Sequence, residues 1–186
     1  DKCLLEIGGK PLLAHVVERM QPQVRALAIN ANGDPVRFAP FNLPVIADVV
    51  PGFAGPLAGI LTGMVWAKKA VPDAKWLLSV AGDTPFLPRN LAGRLGEAAG
   101  KTNAAAAMAE SGGRRHPVFG LWSLDLMEDL ERAVVVEGVR KIVAWADRYP
   151  LARVDFSTRP LDPFFNINRP EDLKIANTLS TGQMPP

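Results

Sequence analysis

The sequence has few of the side chains that carry nucleophilic or soft-metal chemistry. Among 186 residues there are two histidines and one cysteine, Cys3. A single cysteine excludes a disulfide within these residues and a cysteine-based zinc cage, and it favours a reducing compartment such as the cytoplasm. The sequence therefore offers few residues for catalysis by a Ser/His or Cys/His pair. We therefore expect chemistry that depends on positioning and on a hard metal ion.

Long apolar runs and a strong charge imbalance are also missing. No run approaches the roughly 20 apolar residues that span a bilayer, so no membrane partner is expected. The net charge of +2 does not indicate a nucleic-acid partner. With 48% hydrophobic residues the chain can bury a sizeable core, and its length predicts one domain over residues 1–186. No Walker-type phosphate loop, nucleophile elbow or H-E-x-x-H motif occurs.

Segments with helical spacing and short apolar runs alternate along the chain. Residues 11–20 and 55–70 have helical spacing, whereas residues 26–31, 43–49 and 75–83 are short apolar runs. The last of these runs is continuous, which is typical of a central parallel strand buried on both faces. The order predicts an α/β domain with a mostly parallel sheet. Ligands of such sheets bind outside the carboxyl ends of the strands.

Asp83 is the first candidate site residue, because it ends the apolar run in "LLSVAGDTPFLP". Gly82 would permit close approach of a ligand, and Pro85 stiffens the exit from the strand. A carboxylate at this edge can share Mg²⁺ with phosphate oxygens, since such sites often use only one or two protein carboxylates. A turn or a helix cap would explain Asp83 equally well.

Other polar or glycine-rich segments are weaker candidates. Residues 51–60, "PGFAGPLAGI", follow Asp48 and could bind an anion through backbone N–H groups at a helix start. Lys2 could neutralise a triphosphate as a point charge. Asn166 and Asn168 share one side of an extended segment and could contact a heterocycle or a phosphate. Each also has an ordinary explanation as a loop, a solvated lysine or capping residues.

A basic cluster lies between two predicted strands. Arg114, Arg115 and His116 follow the turn that separates "NAAAAMAES" from "HPVFGLW". These side chains could grip an anionic substrate. A charged hairpin tip is the commoner explanation for such a pattern.

Taken together, these segments resemble the molybdenum cofactor guanylyltransferases, a family of nucleotidyltransferases. The matching pieces follow the family's order over nearly the whole chain: "DKCLLEIGGKPLLAHV", "INAN", "VIADVVPGFAGPLAGI", "AGDTPFLP", "HPVFGLW" and "FFNINRPEDL". The resemblance implies a Rossmann-like three-layer sandwich with a mostly parallel central sheet, of the nucleotide-diphospho-sugar transferase type. It also implies Mg²⁺-dependent transfer of GMP from GTP to molybdopterin that carries molybdenum, with release of pyrophosphate.

The resemblance assigns roles to individual residues. Asp83 would be the metal carboxylate and Lys2 a phosphate-binding lysine, and both would be catalytic. The D-T-P form of residues 83–85 favours GTP over CTP. Asn166 and Asn168 would lie on the pterin side. The residues expected to bind GTP are Lys2, Asn30, Asp48, Gly55, Pro56, Leu57 and Asp83.

The implied partners are GTP and molybdopterin, with possible transient contacts to proteins of molybdopterin synthesis and molybdoenzyme maturation. One family feature is missing from the sequence, namely an N-terminal strand and its glycine-rich loop of the form L-A-G-G followed by R-x-G. We therefore expect these 186 residues by themselves to bind GTP poorly.

Two alternatives remain open on the sequence. The first is a related nucleotidyltransferase that uses CTP or another acceptor. The second is a catalytically inactive homologue that binds a nucleotide or a partner enzyme, which the missing loop would favour. A redox Rossmann domain is set aside because no G-x-G-x-x-G follows any predicted strand.

Overall fold

The computed structural model describes residues 1–50, 52, 55–167 and 172. Strands and α-helices follow one another in this order: β1 (Glu6–Ile7), β2 (Lys10–Pro11), α1 (Leu12–Met20), β3 (Ile29–Asn30), β4 (Val45–Ile46), α2 (Pro56–Ala70), β5 (Trp76–Ser79), α3 (Leu91–Thr102), β6 (Ala106–Ser111), β7 (Arg114–Ser123), α4 (Met127–Val135), α5 (Ile142–Ala146) and β8 (Leu151–Phe156). Four short 3₁₀ turns lie at Lys2–Leu4, Gln21–Gln23, Pro35–Phe41 and Leu124–Leu126. Asn168 and most of the helix predicted after it lie outside the described residues.

The largest sheet has four strands in the order β5-β7-β6-β8. Strand β7 is antiparallel to both of its neighbours, whereas β6 and β8 are parallel. Three of the four strands therefore run in one direction, and the sheet is mixed. Strands β3 and β4 form a separate parallel pair, and β1 with β2 forms a small hairpin.

Helices α1 and α2 begin and end within one residue of the bounds that the sequence predicts. Helix α2 has Pro56 at its first position, where the missing N–H costs nothing, and Lys68 and Lys69 in its last turn, where they favour the negative end of the helix dipole. Helix α1 begins directly after Pro11 and buries one face with helical spacing. The buried residues of α1 are Leu12, Leu13, Val16 and Met20.

Helices cover both faces of the main sheet, which produces three layers. One large core cluster joins α1 and α3 to one face, with Leu91 and Leu95 fully buried. The other joins α2, α4 and α5 to the opposite face around the rings of Trp122 and Trp145, which pack at a tilt of 47° with centroids 5.5 Å apart. This arrangement confirms the predicted Rossmann-like α/β class.

Strand β5 departs from the sequence expectation. It spans only Trp76–Ser79 and pairs with β7 alone in the described residues, so it lies at the edge of its sheet. Trp76 is 39% exposed, and the other three residues are only partly buried. The prediction of a central strand buried on both faces is therefore wrong for these residues, because no strand of the described part of the chain lies along the second edge. No described helix combines the length and the apolar character needed to cross a membrane.

Candidate functional site

The structure brings three of the predicted site residues together beyond the end of β5. Burial raises the pKa of Asp83, and the charge of Lys2 and a hydrogen bond from the Asn166 side chain oppose that rise. The backbone N–H of Ile167 also donates to the carbonyl of Asp83, at 3.3 Å. Partial burial disfavours the charged form of this carboxylate, so a cation close by stabilises the ionised side chain.

Lys2 reaches Asp83 because residues 2–4 form a 3₁₀ turn that packs beside Gly82. A Cβ added to Gly82 would lie 3.4 Å from Cys3 Cβ and 3.4 Å from Leu13 Cδ1. The side chains of Cys3 and Leu13 therefore occupy the space beside Gly82 where the sequence predicts a ligand. Burial in this contact also raises the pKa of the Cys3 thiol.

Asn166 is carried to Asp83 by a turn that a polar network holds in place. The Ser111 hydroxyl donates to the two carboxylate oxygens of Asp162 at 2.9 and 3.0 Å, and the same carboxylate accepts the Phe164 N–H at 2.9 Å. His116 Nε2 lies 2.7 Å from the Ser111 hydroxyl. The imidazole also packs on the Phe164 ring, with centroids 4.6 Å apart. We call Ser111, His116 and Asp162 the hairpin network.

Two members of the basic cluster of the β6–β7 hairpin, Arg115 and His116, make contacts within the chain, whereas Arg114 is exposed. Arg115 Nη1 donates to the Asp147 carboxylate at 2.8 Å. Burial lowers the pKa of His116, although the charge of Asp162 opposes this shift. The neutral form of the imidazole is therefore favoured. A neutral ring can form a hydrogen bond with Ser111, but it lacks the positive charge that would attract an anionic substrate.

A second polar cluster lies at the ends of β3 and β4. Asn30 Nδ2 donates to Asp48 Oδ1 at 3.0 Å and to the carbonyl of Ile46 at 3.1 Å. Asn32 Nδ2 donates to Asp48 Oδ2 at 2.8 Å, and its own amide oxygen accepts the Asp48 N–H at 2.9 Å. The Asp48 carboxylate is therefore fixed by two amides. Asn32 was not assigned a role from the sequence, although the spacing of "INAN" puts it on the same side as Asn30.

Helix α2 packs against this amide cluster and against the segment that follows β4. A Cβ added to Gly59 would lie 2.6 Å from Asn30 Oδ1, so any other residue at this position would force the Asn30 amide to move. Thr62 Oγ1 accepts the Val49 N–H at 3.0 Å and donates to the Ala58 carbonyl at 2.8 Å. These contacts tie the segment after β4 to the helix. The sequence indicates Gly59 as part of the glycine-rich segment near the nucleotide, but its contact with Asn30 and the role of Thr62 are not evident from sequence patterns.

The predicted nucleotide loop at the start of α2 is only partly exposed. Gly55 and Pro56 are exposed, whereas Leu57 is 1% exposed and its side chain belongs to the core cluster under α2. A role for Leu57 in nucleotide binding would therefore have to use its backbone N–H, which lies in the first turn of the helix. Thr84 is also fully buried, and its hydroxyl has no hydrogen-bond partner among the described residues.

Both polar clusters open onto one cavity of about 890 Å³. Its lining includes Lys2, Asn30, Asp48 and Asp83 at the polar end, together with Gly55 and Pro56 of the predicted loop. The rest of the cavity is mainly apolar and runs between β3 and β5. A polar rim beyond strand ends is the place where open α/β sheets bind ligands.

The donors at this rim limit which metal could be held. No group of three or more His, Cys, Asp or Glu side chains suited to a metal occurs among the described residues. Asp83 offers a hard carboxylate, and its neighbour Asn166 offers an amide oxygen. This set fits an oxygen-seeking cation such as Mg²⁺ that takes its other ligands from phosphate and water, and it does not fit zinc.

Solved structures share this fold. A crystal structure of molybdopterin-guanine dinucleotide biosynthesis protein A from Archaeoglobus fulgidus superposes with a TM-score of 0.72 at 23% identity, over 97% of this chain and 91% of that one. A 2-C-methyl-D-erythritol 4-phosphate cytidylyltransferase from Thermus thermophilus gives 0.70 at 20% identity, over 97% and 94%. At these identities the likeness concerns the fold alone.

Sequence relatives are much more similar. A molybdenum cofactor guanylyltransferase from Rhodopseudomonas palustris (strain BisB5) is 51% identical over 180 residues, covering 97% of this chain and 86% of the relative. Another from Bradyrhizobium sp. (strain ORS 278) is 50% identical, with 97% and 85% covered. The family model of the MobA-like NTP transferase domain matches residues 1–151. The chain therefore belongs to the MobA-like NTP transferase family and, within it, to the molybdenum cofactor guanylyltransferases.

Proposed function

We propose that this protein transfers GMP from GTP to molybdopterin that carries molybdenum, and that it forms the guanine dinucleotide cofactor and pyrophosphate. The observation that carries the proposal is the 51% identity over 97% of the chain to a relative named for this guanylyl transfer. The meeting of Lys2, Asp83 and Asn166 at the end of β5 supports it, because a cationic and a metal-binding group are both available there.

The proposed step is an in-line displacement at the α-phosphorus of GTP. An oxygen of the pterin's terminal phosphate forms the new bond, and the bond from the α-phosphorus to the bridging oxygen breaks, so that pyrophosphate leaves with the electron pair. Lys2 lies close enough to Asp83 to add positive charge beside the phosphates. No covalent intermediate on the enzyme is required, which agrees with the scarcity of nucleophiles in the sequence.

Asp83 is the residue that would hold Mg²⁺, with Asn166 beside it. The ion would supply charge neutralisation of the phosphate oxygens. Asp83 is suited to this task because its carboxylate is half-buried and only partly compensated by its protein neighbours. The cost of its negative charge falls when a cation binds.

We assign GTP to both polar clusters and the pterin to the side of Asn166. GTP would contact Asn30 and Asp48, the start of α2 at Gly55, Pro56 and the Leu57 N–H, and, through its phosphates, Lys2 and Asp83. Asn166 would face the pterin, and Asn168 is proposed for the same side from its place in the N-x-N pattern. The fixed geometry of Asp48, held by two amides, supports a role in positioning a ligand.

The cellular setting follows from the proposed reaction. We propose a cytoplasmic protein, with transient contacts to the proteins that supply molybdopterin and to those that receive the finished cofactor. The single cysteine agrees with a reducing compartment.

Calorimetric titration with GTP and with CTP in the presence of Mg²⁺, on protein made from the complete reading frame, tests the proposal. We expect GTP to bind at least tenfold more tightly than CTP, and Asp83→Ala to weaken GTP binding and abolish transfer in the folded protein. Asp155→Ala is the matched control, because Asp155 is an exposed carboxylate on β8 away from the rim. Equal GTP binding by wild type and Asp83→Ala would overturn the metal assignment, and tighter CTP binding would favour a cytidylyl transfer.

A further inference from the structure

The side chain of Asn32 contacts Asp48 at two points. Its amide oxygen accepts the Asp48 N–H at 2.9 Å, and its amide nitrogen donates to Asp48 Oδ2 at 2.8 Å. One planar amide group therefore binds both the backbone and the carboxylate of the same residue. This pair of bonds restrains the rotamer of Asp48, because a rotation of the carboxylate would break the second of them.

The Asp48 carboxylate keeps acceptor positions for a ligand in this arrangement. Asn30 Nδ2 donates to Oδ1 at 3.0 Å, and Asn32 Nδ2 donates to Oδ2. Each carboxylate oxygen can accept two hydrogen bonds, so one position on each oxygen is left beside the two amides. GTP, the ligand proposed for this rim, carries both N–H and O–H donors. The direction of the remaining acceptor positions depends on the rotamer that Asn32 restrains.

The loop after β3 holds the backbone of Asn32 in turn. The Arg37 guanidinium donates to the carbonyl of Asn32 and to the carbonyl of Asp34. Gly33, between these two residues, has a φ of 83° in the left-handed region that glycine favours. The contacts therefore form a series in which Arg37 fixes the backbone of Asn32, and the Asn32 amide fixes Asp48.

Asn32 differs from Asn30 in its relation to the cavity. Asn30 and Asp48 both line the cavity, whereas Asn32 is not among its lining residues. Both polar atoms of the Asn32 amide bind Asp48. An influence of Asn32 on a ligand in the cavity would therefore act through the Asp48 carboxylate and not through direct contact.

We propose that Asn32 is a positioning residue for GTP binding, because it holds the Asp48 carboxylate in the orientation that accepts hydrogen bonds from the nucleotide. This inference rests on the proposed function, since it takes GTP as the ligand at Asp48. It adds a residue that does not touch the nucleotide and that acts through one that does.

Asn32→Asp tests the donor end of the amide without changing the size of the side chain. The substituted carboxylate still accepts the Asp48 N–H, but at neutral pH it repels the Asp48 carboxylate instead of donating to it. We expect the Kd for GTP with Mg²⁺ to rise about tenfold over wild type at pH 8. At pH 5 the two carboxyl groups share a proton that restores a donor, so the ratio of the Kd values should fall to about threefold or less.

Calorimetry on protein made from the complete reading frame measures these ratios. Taking the ratio to wild type removes the effects of pH on GTP itself and on the other charged groups near the rim, which are Lys2, Asp34, Arg37 and Asp83 in both proteins. Asn90→Asp is the matched control, because Asn90 is exposed and its side chain does not cap α3. Its GTP affinity should equal that of wild type at both pH values.

A double-mutant cycle tests whether Asn32 acts through Asp48. Asn32→Ala should weaken GTP binding about tenfold in the wild-type background, but less than about twofold in a protein that already carries Asp48→Ala. Amide hydrogen exchange gives a readout without nucleotide. The Asp48 amide should exchange about fivefold faster in Asn32→Ala and close to the wild-type rate in Asn32→Asp, which keeps the acceptor.

The outcomes separate this inference from the proposed function. A wild-type protein that binds no GTP would overturn the proposed function and the role of Asn32 with it. Normal binding by wild type together with equal binding by Asn32→Asp at pH 8, or additive losses in the cycle, would overturn the role of Asn32 alone. A loss in Asn32→Asp that is the same at pH 5 and pH 8 would overturn it too, because a purely structural defect gains nothing from the shared proton.

Discussion

Asp83 is the residue at which stability and the proposed function oppose each other. Burial raises the pKa of its carboxyl group in the folded protein, so folding is penalised by the negative charge. For an acid with a raised pKa, this penalty is fully present above the folded pKa and disappears as the pH falls below the unfolded value of about 3.9. A charge kept at such a cost is characteristic of functional sites.

We expect Asp83→Asn to be slightly more stable than wild type at pH 7 while losing GMP transfer. The gain should be small, about 1–2 °C in the unfolding midpoint, because solvent screens a half-buried group. Thermal melts at pH 7 and at pH 3.5 measure it, and the difference should vanish at the lower pH. A variant that is less stable than wild type at pH 7 would contradict this account of Asp83.

Gly59 is a residue whose missing side chain leaves room for Asn30. Gly59→Ala would place a Cβ 2.6 Å from Asn30 Oδ1, so the amide must move and its bond to Asp48 is lost. We expect GTP binding to weaken by about tenfold, the equivalent of roughly 1.4 kcal/mol. Gly93→Ala is the control, because Gly93 is exposed in α3 with open space at its Cβ and should gain about 0.5–1 kcal/mol in stability. Unchanged GTP affinity in Gly59→Ala would remove Asn30 from the nucleotide site.

At the scale of elements, the β6–β7 hairpin positions the turn that carries Asn166. The hairpin network connects Ser111 and His116 of the two strands to Asp162 of the turn. This turn then places the Asn166 side chain and the Ile167 N–H against Asp83. The network has no contact with the amide cluster of Asn30 and Asp48 in the described residues, so its loss should affect one substrate more than the other.

Asp162→Ala should raise the KM for the pterin substrate several-fold and leave the affinity for GTP within twofold of wild type. The physical reason is that Ser111 and the Phe164 N–H lose a shared acceptor, which releases the turn but not the amide cluster. Steady-state kinetics with the pterin varied, together with GTP calorimetry, separate the two effects. Asp162→Asn retains one acceptor oxygen and should recover part of the loss. An equal loss in the KM for the pterin and in the affinity for GTP would indicate general unfolding instead.

At the scale of the whole molecule, the pH dependence of stability follows from groups buried on both sides of the sheet. Burial lowers the pKa of His116, so the folded protein binds a proton less readily than the unfolded chain. Stability from this group is complete above the unfolded pKa of about 6.5 and is lost as the pH falls through the folded value. On the opposite face, hydrogen bonds from Tyr149 and Trp145 lower the pKa of Asp129, which adds a loss at more acidic pH.

We expect the free energy of unfolding to fall between pH 7 and pH 5, and His116→Gln to reduce that fall. The contribution of His116 should be no more than about 1 kcal/mol, since the ring is only partly buried. Urea denaturation at a series of pH values measures both proteins. An identical slope in wild type and His116→Gln would assign the effect to other groups.

Helices α1 and α2, the alternation of helices with strands, and Asp83 as a site candidate are all predictable from the sequence, whereas the β1–β2 hairpin is not. These follow from local rules: Pro56 starts α2 because it needs no N–H partner, and apolar spacing selects the buried face of α1. The D-T-P segment stood out because a carboxylate ends an apolar run. Family motifs added Lys2, Asn30 and Asp48, which lie at the rim of one cavity in the structure.

Which of these residues meet, and what supports them, follows from the tertiary structure. The contact of Asn166 with Asp83, the fit of Gly59 under Asn30 and the hairpin network join residues far apart in the chain, and no local pattern encodes such distances. The position of β5 at the edge of its sheet is likewise not encoded in a local pattern. Its apolar run indicates burial on both faces, but whether a strand lies along each edge depends on the other strands of the sheet, because each edge is satisfied only by hydrogen bonds from another segment.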